Sequence, residues 1–197
     1  THPNLAPEPL RTAPDFSFTV QSHLGGRSAP PALTPAHIKF LSKLAEPDER
    51  VDSASVLRIL SERRDDLYTK GLLHGEELAQ IDTLIDRMNG KEDMPATRVH
   101  GDFAPWNLKL TTDGGICAVD WEESRKLGLP YDDLAHYIVS CSRLLGKRGA
   151  PELTSRLIRH YGEELGIPYS TQETLWPLML ALHNADQSFP RADAVSN

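Results

Sequence analysis

The sequence predicts an α+β fold that is predominantly helical, and three patterns predict it. Six segments space apolar residues at helical intervals, near 34–47, 53–68, 76–88, 131–145, 151–165 and 170–184. One run, Phe16-Ser17-Phe18-Thr19-Val20-Gln21, alternates with β-favouring residues and reads as a strand. Between the third and fourth helical segments lies a strand–turn–strand pattern, Asn107–Thr111 and Gly115–Asp120, joined by Thr112-Asp113-Gly114-Gly115. Glycine there supplies the positive φ that tight hairpins require.

The elements follow in order. Residues 1–15 carry Pro3, Pro7, Pro9 and Pro14, which allows an irregular lead-in with at most one short edge strand. The strand at 16–21 stops at Leu24-Gly25-Gly26, and Pro30-Pro31 make the next stretch a loop. Thr34-Pro35 is an N-cap followed by proline at the first helical position; Ile38, Leu41 and Leu44, with Phe40 beside them, continue that helix until Pro47. The second helix turns Val56, Ile59, Leu60 and Leu67 inward, and the third Leu78, Ile81, Leu84, Ile85 and Met88, with Gly90 as its C-terminal cap. Residues 97–100 lead into a polar loop. After a further loop through Gly128 and Pro130, one helix presents Leu134, Tyr137, Ile138 and Cys141, and the next Leu153, Leu157, Ile158 and Tyr161. The last contains Pro177, which predicts a kink or a break. No internal repeat occurs.

Composition narrows the function. At 197 residues, 39 % hydrophobic and 25 % charged, the chain has the balance of a soluble globular domain. A net charge of −7 argues against a nucleic-acid binder, which usually shows a clustered basic excess. No membrane span and no secretory leader is legible, which gives the expectation of a cytoplasmic protein. Cys117 and Cys141 sit on apolar patterns and read as buried free thiols.

The chemistry concentrates in His100-Gly101-Asp102-Phe103-Ala104-Pro105-Trp106-Asn107, followed by Asp120 in Val119-Asp120-Trp121. An isolated His-Gly-Asp is ordinarily a turn, and Asn107 or Asp120 alone would cap one. Together they bring a candidate proton acceptor, Asp102, to an amide oxygen and a second carboxylate, Asn107 and Asp120, of the hard type that Mg²⁺ prefers. Phosphoryl transfer needs this set: a placed hydroxyl, an acceptor for its proton and a metal to neutralise phosphate charge. His100 reads as a support of the loop.

On these residues the chain resembles the aminoglycoside phosphotransferase and choline kinase family, relatives of the protein kinases, whose loop reads His-Gly-Asp-x-x-x-x-Asn and whose later aspartate precedes an aromatic residue, here Trp121. The resemblance implies Asp102 as catalytic base and Asn107 and Asp120 as Mg²⁺ ligands, with ATP as co-substrate. It extends to Gly128-Leu129-Pro130-Tyr131-Asp132-Asp133-Leu134-Ala135, where Asp133 would support the loop. Gly101 stands where protein kinases usually carry arginine, which points to small-molecule kinases. The implied architecture is the C-terminal lobe of a protein-kinase-like fold, with a short β-hairpin carrying the metal site.

Such a kinase also needs an N-terminal lobe with a nucleotide-covering loop and a strand-borne lysine. Only fifteen residues precede the strand at Phe16, none of them lysine. The expected division is therefore residues 1–25 as the end of an N-terminal lobe and hinge, with Gln21, Ser22 and His23 facing the adenine, and 26–197 as the helical catalytic lobe. The expectation is an ATP- and Mg²⁺-dependent phosphotransferase acting on a small-molecule hydroxyl (an aminoglycoside, an amino alcohol or a similar metabolite), here a fragment of a longer enzyme. The alternatives are a non-catalytic kinase-like binding or regulatory module and, more remotely, a metal-dependent hydrolase using His100, Asp102 and Asp120. Candidate acceptor contacts are Glu122, Glu123, Trp106, Trp176, His183 and Asp186. The acidic residues suit an amine, and the tryptophans a sugar face or a quaternary ammonium. Each also has an ordinary role, as loop charge, core tryptophan or surface histidine.

Overall fold

Helices dominate an α+β arrangement whose strands form three small antiparallel sheets among the described residues. The computed structural model describes residues 5–7, 9–12, 19–21, 26–146 and 149–186. Pro9–Thr12 (β1) pairs with Thr19–Gln21 (β2). The expected strand at 16–21 thus appears in its last three residues, while 16–18 lie outside the described residues.

The first helix, Pro35–Ser42 (α1), starts as its Thr-Pro signature predicts. The Thr34 N–H donates to His37 Nδ1 at 3.1 Å, a capping box with histidine in the place of the usual Glu or Gln. The helix ends earlier than Pro47. Lys43 and Leu44 close it with N–H bonds to Phe40 and Leu41, and Ala45–Val51 (β3) then leaves as a strand. Pro47 is tolerated because β3 is an edge strand whose register shifts between Ala45 and Arg50. Ser53–Thr69 (α2) and Gly75–Met88 (α3) follow as predicted.

A three-stranded sheet forms from segments in which the sequence pattern shows no strand. Met94–Val99 (β4) is its centre, with β3 on one side and Arg125–Gly128 (β7) on the other. β4 is almost wholly buried, whereas β7 exposes Arg125, Lys126 and Leu127. The hairpin appears as Leu108–Leu110 (β5) and Ile116–Ala118 (β6), in register Leu108↔Ala118 and Leu110↔Ile116. Both of its edges are covered. Leu110 N–H donates to the Arg27 carbonyl and Ala29 N–H to the Leu108 carbonyl, while Ala118 N–H donates to the Leu5 carbonyl at 2.9 Å.

Asp132–Leu144 (α4), Pro151–Glu164 (α5) and Tyr169–Ala185 (α6) complete the chain. α4 is the central element: every residue from Asp132 to Tyr137 is buried, and α6 packs against it as well as against α3 and α5. α6 runs unbroken from Tyr169 to Ala185 through Pro177, so the expected break does not occur. Both cysteines are buried and unpaired. No helix among the described residues is long and apolar enough to cross a membrane.

Candidate active site

The loop at 100–107 connects the central strand β4 to the hairpin and is fixed from underneath by α4. Asp133, in the first turn of α4, accepts the N–H of His100 through Oδ2 at 2.7 Å and of Gly101 through Oδ1 at 3.0 Å. Burial raises the Asp133 carboxyl to about 7, against these two donors, which favour its charged form. Gly101 has φ +91°, and a Cβ there would overlap the Glu123 carbonyl. The loop therefore has neither the conformation nor the space for arginine at this position.

His100 is fully buried and both of its ring nitrogens are engaged. Asp102 N–H donates to Nδ1 at 3.3 Å, so the remaining proton sits on Nε2, 2.9 Å from the Val119 carbonyl. Burial lowers its pKa and keeps the ring neutral. Trp121 packs on it, ring centroids 4.6 Å apart, and donates its own indole N–H to the Ala118 carbonyl. This arrangement makes His100 a brace between loop and hairpin and leaves no nitrogen to bind a metal, contrary to the hydrolase reading.

Asp102 is held through both carboxylate oxygens. Asn107 Nδ2 donates to Oδ2 at 2.8 Å and to the Asp102 carbonyl at 3.0 Å. His136 Nε2, from α4, lies 3.0 Å from Oδ1. The His136 contact is the main reason that the Asp102 carboxyl is held below the usual range, with smaller contributions from Trp106 and Asn107 against partial burial. Asp102 is about one-third exposed, so its ionised carboxylate still faces solvent.

Asn107 ends the short 3₁₀ turn Pro105–Asn107, and its carbonyl accepts the Val119 N–H at 2.8 Å, which brings the loop beside the end of β6. Asp120 follows, exposed and left-handed at φ +64°. With Nδ2 committed to Asp102, the Asn107 side chain has only its oxygen left for a cation, and Asp120 adds a carboxylate. Mg²⁺ commonly takes one or two protein oxygens and completes its shell with water and substrate phosphate, so these two residues fit it. Among the described residues no cluster of three His, Cys, Asp or Glu forms a cage.

The other candidates separate. Trp106 is 40 % exposed beside Asp102. Glu122 and Glu123 are exposed after Asp120. Trp176 packs against Tyr131 and the core, ring centroids 5.8 Å apart, so it is not a free stacking surface. His183 is buried rather than at the surface, with Nε2 2.7 Å from Asp132 Oδ1. Asp186 caps the end of α6 through its N–H to the Leu182 carbonyl. Gln21 ends β2; its side chain, Ser22 and His23 lie outside the described residues.

The sequence reading missed His136 and the ion-pair cluster behind it. Asp132 binds Arg63 Nη1 at 2.8 Å and Arg125 Nη2 at 2.7 Å. Burial alone would raise its carboxyl, but Arg63, His183 and Arg125 hold it well below the usual range. This cluster forms one wall of a cavity of about 430 Å³ between α2, β7, α4 and α6, floored by Leu60, Leu129 and Met179. None of Trp106, Glu122, Trp176 or Asp186 lines it.

Comparison with known proteins identifies the lineage. Residues 15–173 match the phosphotransferase enzyme family. Among solved structures, the fold is similar to a macrolide 2'-phosphotransferase type I, at TM-score 0.57 and 14 % identity over 85 % of this chain; the chain spans 60 % of that structure's length. A glucosamine kinase (crystal form B) aligns at TM-score 0.44 and 16 % identity, over 76 % of this chain and 44 % of the other. No curated protein sequence matches. With most of its length matched and its loop built as described, the chain belongs to the phosphotransferase enzyme family, with a protein-kinase-like fold.

Proposed function

We propose that this chain carries the acceptor- and metal-side residues of an ATP- and Mg²⁺-dependent kinase that phosphorylates a hydroxyl of a small molecule. One observation carries the reading: an ionised, solvent-facing Asp102 held through both oxygens, next to Asn107 and with Asp120 at the end of the adjoining strand. Asp102 would orient the acceptor hydroxyl and take its proton as the oxygen attacks the terminal phosphate of ATP. Asn107 and Asp120 would hold Mg²⁺, which supplies charge neutralisation to the phosphates. His100 and Asp133 fix the loop and touch no reacting atom. Trp106 beside Asp102, and Glu122 and Glu123 beyond Asp120, suit a hydroxylated acceptor bearing an amine, the class of aminoglycosides and amino alcohols.

The test uses the intact protein with ATP, Mg²⁺ and a panel of hydroxylated amines and sugars, followed by ADP release. The expected result is acceptor-stimulated turnover that Asp102→Asn lowers by at least 100-fold while its circular dichroism is unchanged. Turnover retained in Asp102→Asn would refute the role of Asp102. Absence of any Mg²⁺-dependent thermal shift with ATP would leave a kinase-like binding module in place of an enzyme.

A further inference from the structure

The geometry points to His136 as a positioning residue for Asp102, its donor meeting Oδ1 while Asn107 meets Oδ2. This rests on the reading of Asp102 as the group that receives the hydroxyl. Asp133 and His136 stand three residues apart on α4, so both face the loop one turn from each other. Asp133 takes the backbone N–H groups of His100 and Gly101, and His136 takes the side chain of the next residue. Three consecutive loop residues are thus attached to a single turn of the most buried helix.

The second hold explains what the first leaves undone. With Asn107 alone, on Oδ2, the carboxylate can still swing about its side-chain torsions, because terminal sp³–sp² rotation is broad. A donor on Oδ1 as well removes that freedom and leaves a fixed lone pair for the incoming hydroxyl. Leucine would fill the place of His136 without burying an imidazole; what the imidazole adds is a donor aimed at Asp102.

His136 is itself oriented. The His183 ring meets it edge-on, with centroids 5.6 Å apart and planes at 87°. His183 Nε2 lies 2.7 Å from Asp132 Oδ1 and 3.0 Å from Arg63 Nη2. A neutral imidazole nitrogen either donates or accepts, and the shorter contact, to a carboxylate, assigns the proton to Nε2 with Asp132 as its acceptor. α6, through His183, therefore braces the residue that braces Asp102, and Arg63 of α2 fixes the Asp132 carboxylate that receives the His183 proton.

Two variants of the intact protein separate positioning from mere packing. His136→Leu removes the donor, and His136→Gln places an amide nitrogen near the position of Nε2. Steady-state ADP release with ATP and Mg²⁺ is expected to show kcat about 100-fold lower in His136→Leu, the scale of a 1 Å misplacement, with KM for ATP within about twofold. His136→Gln is expected to recover to within about 10-fold of the original protein. Equal loss in both variants, or a rise in KM at constant kcat, would overturn the proposal. A second readout needs no activity. In protein labelled with ¹⁵N-histidine, the His136 Nε2–H is expected to be a slowly exchanging signal that vanishes in Asp102→Ala. If the intact protein turns over no ATP, the phosphotransfer reading fails on its own, and a His136 signal unchanged by Asp102→Ala overturns the hold independently.

Discussion

His37 supplies a stability switch whose size follows from its surroundings. Its Nδ1 accepts the Thr34 N–H, so the ring proton sits on Nε2, which is buried with no hydrogen-bond partner among the described residues. The ring is fully buried, 4.6 Å from Tyr137 and edge-on to Phe103 of the 100–107 loop. Burial lowers its pKa from 6.5 to about 4, with the Thr34 contact opposing. The unfolded chain therefore binds a proton that the folded chain refuses in the window between those values. Stability is full above pH 6.5 and falls as the pH drops toward 4, by about 3 kcal/mol at 1.36 kcal/mol per pH unit, of which about 2 kcal/mol is gone by pH 5. His37→Asn keeps a short acceptor for Thr34 and removes the titration. Urea denaturation followed by tryptophan fluorescence at pH 8 and pH 5 measures the difference. The variant is expected to start less stable and to lose about 2 kcal/mol less between the two pH values. Parallel losses in the two proteins would refute the assignment of this acid sensitivity to His37.

The remaining predictions concern the loop and its anchors. Asp133→Ala leaves the buried N–H of His100 and the part-buried N–H of Gly101 without this acceptor and is expected to cost about 2–5 kcal/mol in urea denaturation. Gly101→Ala meets both an unfavourable φ and the Glu123 carbonyl, and a loss of about 2–4 kcal/mol with a parallel loss of turnover is expected. Asp132→Ala strands the half-buried Arg63 and the buried His183, with an expected cost of about 3–5 kcal/mol by the same assay.

The loop was legible because its chemistry is local: His100, Asp102 and Asn107 lie within eight residues, and Asp120 follows one hairpin later. The six helices were legible from apolar spacing. The sheet of β3, β4 and β7 was not, because its outer strands offer no alternation: Ala45–Val51 contains a proline and four charges, and Arg125–Gly128 is mostly exposed. Proline misled at the end of α1, and at Pro177 only the alternative of a break is set aside. Pro47 does not end α1, which closes five residues earlier, and Pro177 sits within an unbroken helix held by its neighbours. His136 was not legible as a site residue because the apolar spacing of α4 picks out Leu134, Tyr137, Ile138 and Cys141. Its position three residues after Asp133, the residue already expected to support the loop, was the available signal. His183 and Arg63 reach the same cluster from 51 and 69 residues away from Asp132, a pairing no local pattern encodes.

The coverage of the β5–β6 hairpin by residues 27–29 on one edge and Leu5 on the other has a consequence for handling the protein. Two short strands alone are marginal in water, and bare strand edges are templates for pairing with other chains. Trimming the first thirty residues would uncover both edges of the hairpin that lies between Asn107 and Asp120. The expected outcome is self-association through that hairpin, so that a shortened form would lose the segment joining Asn107 to Asp120 to aggregation before its helices melted.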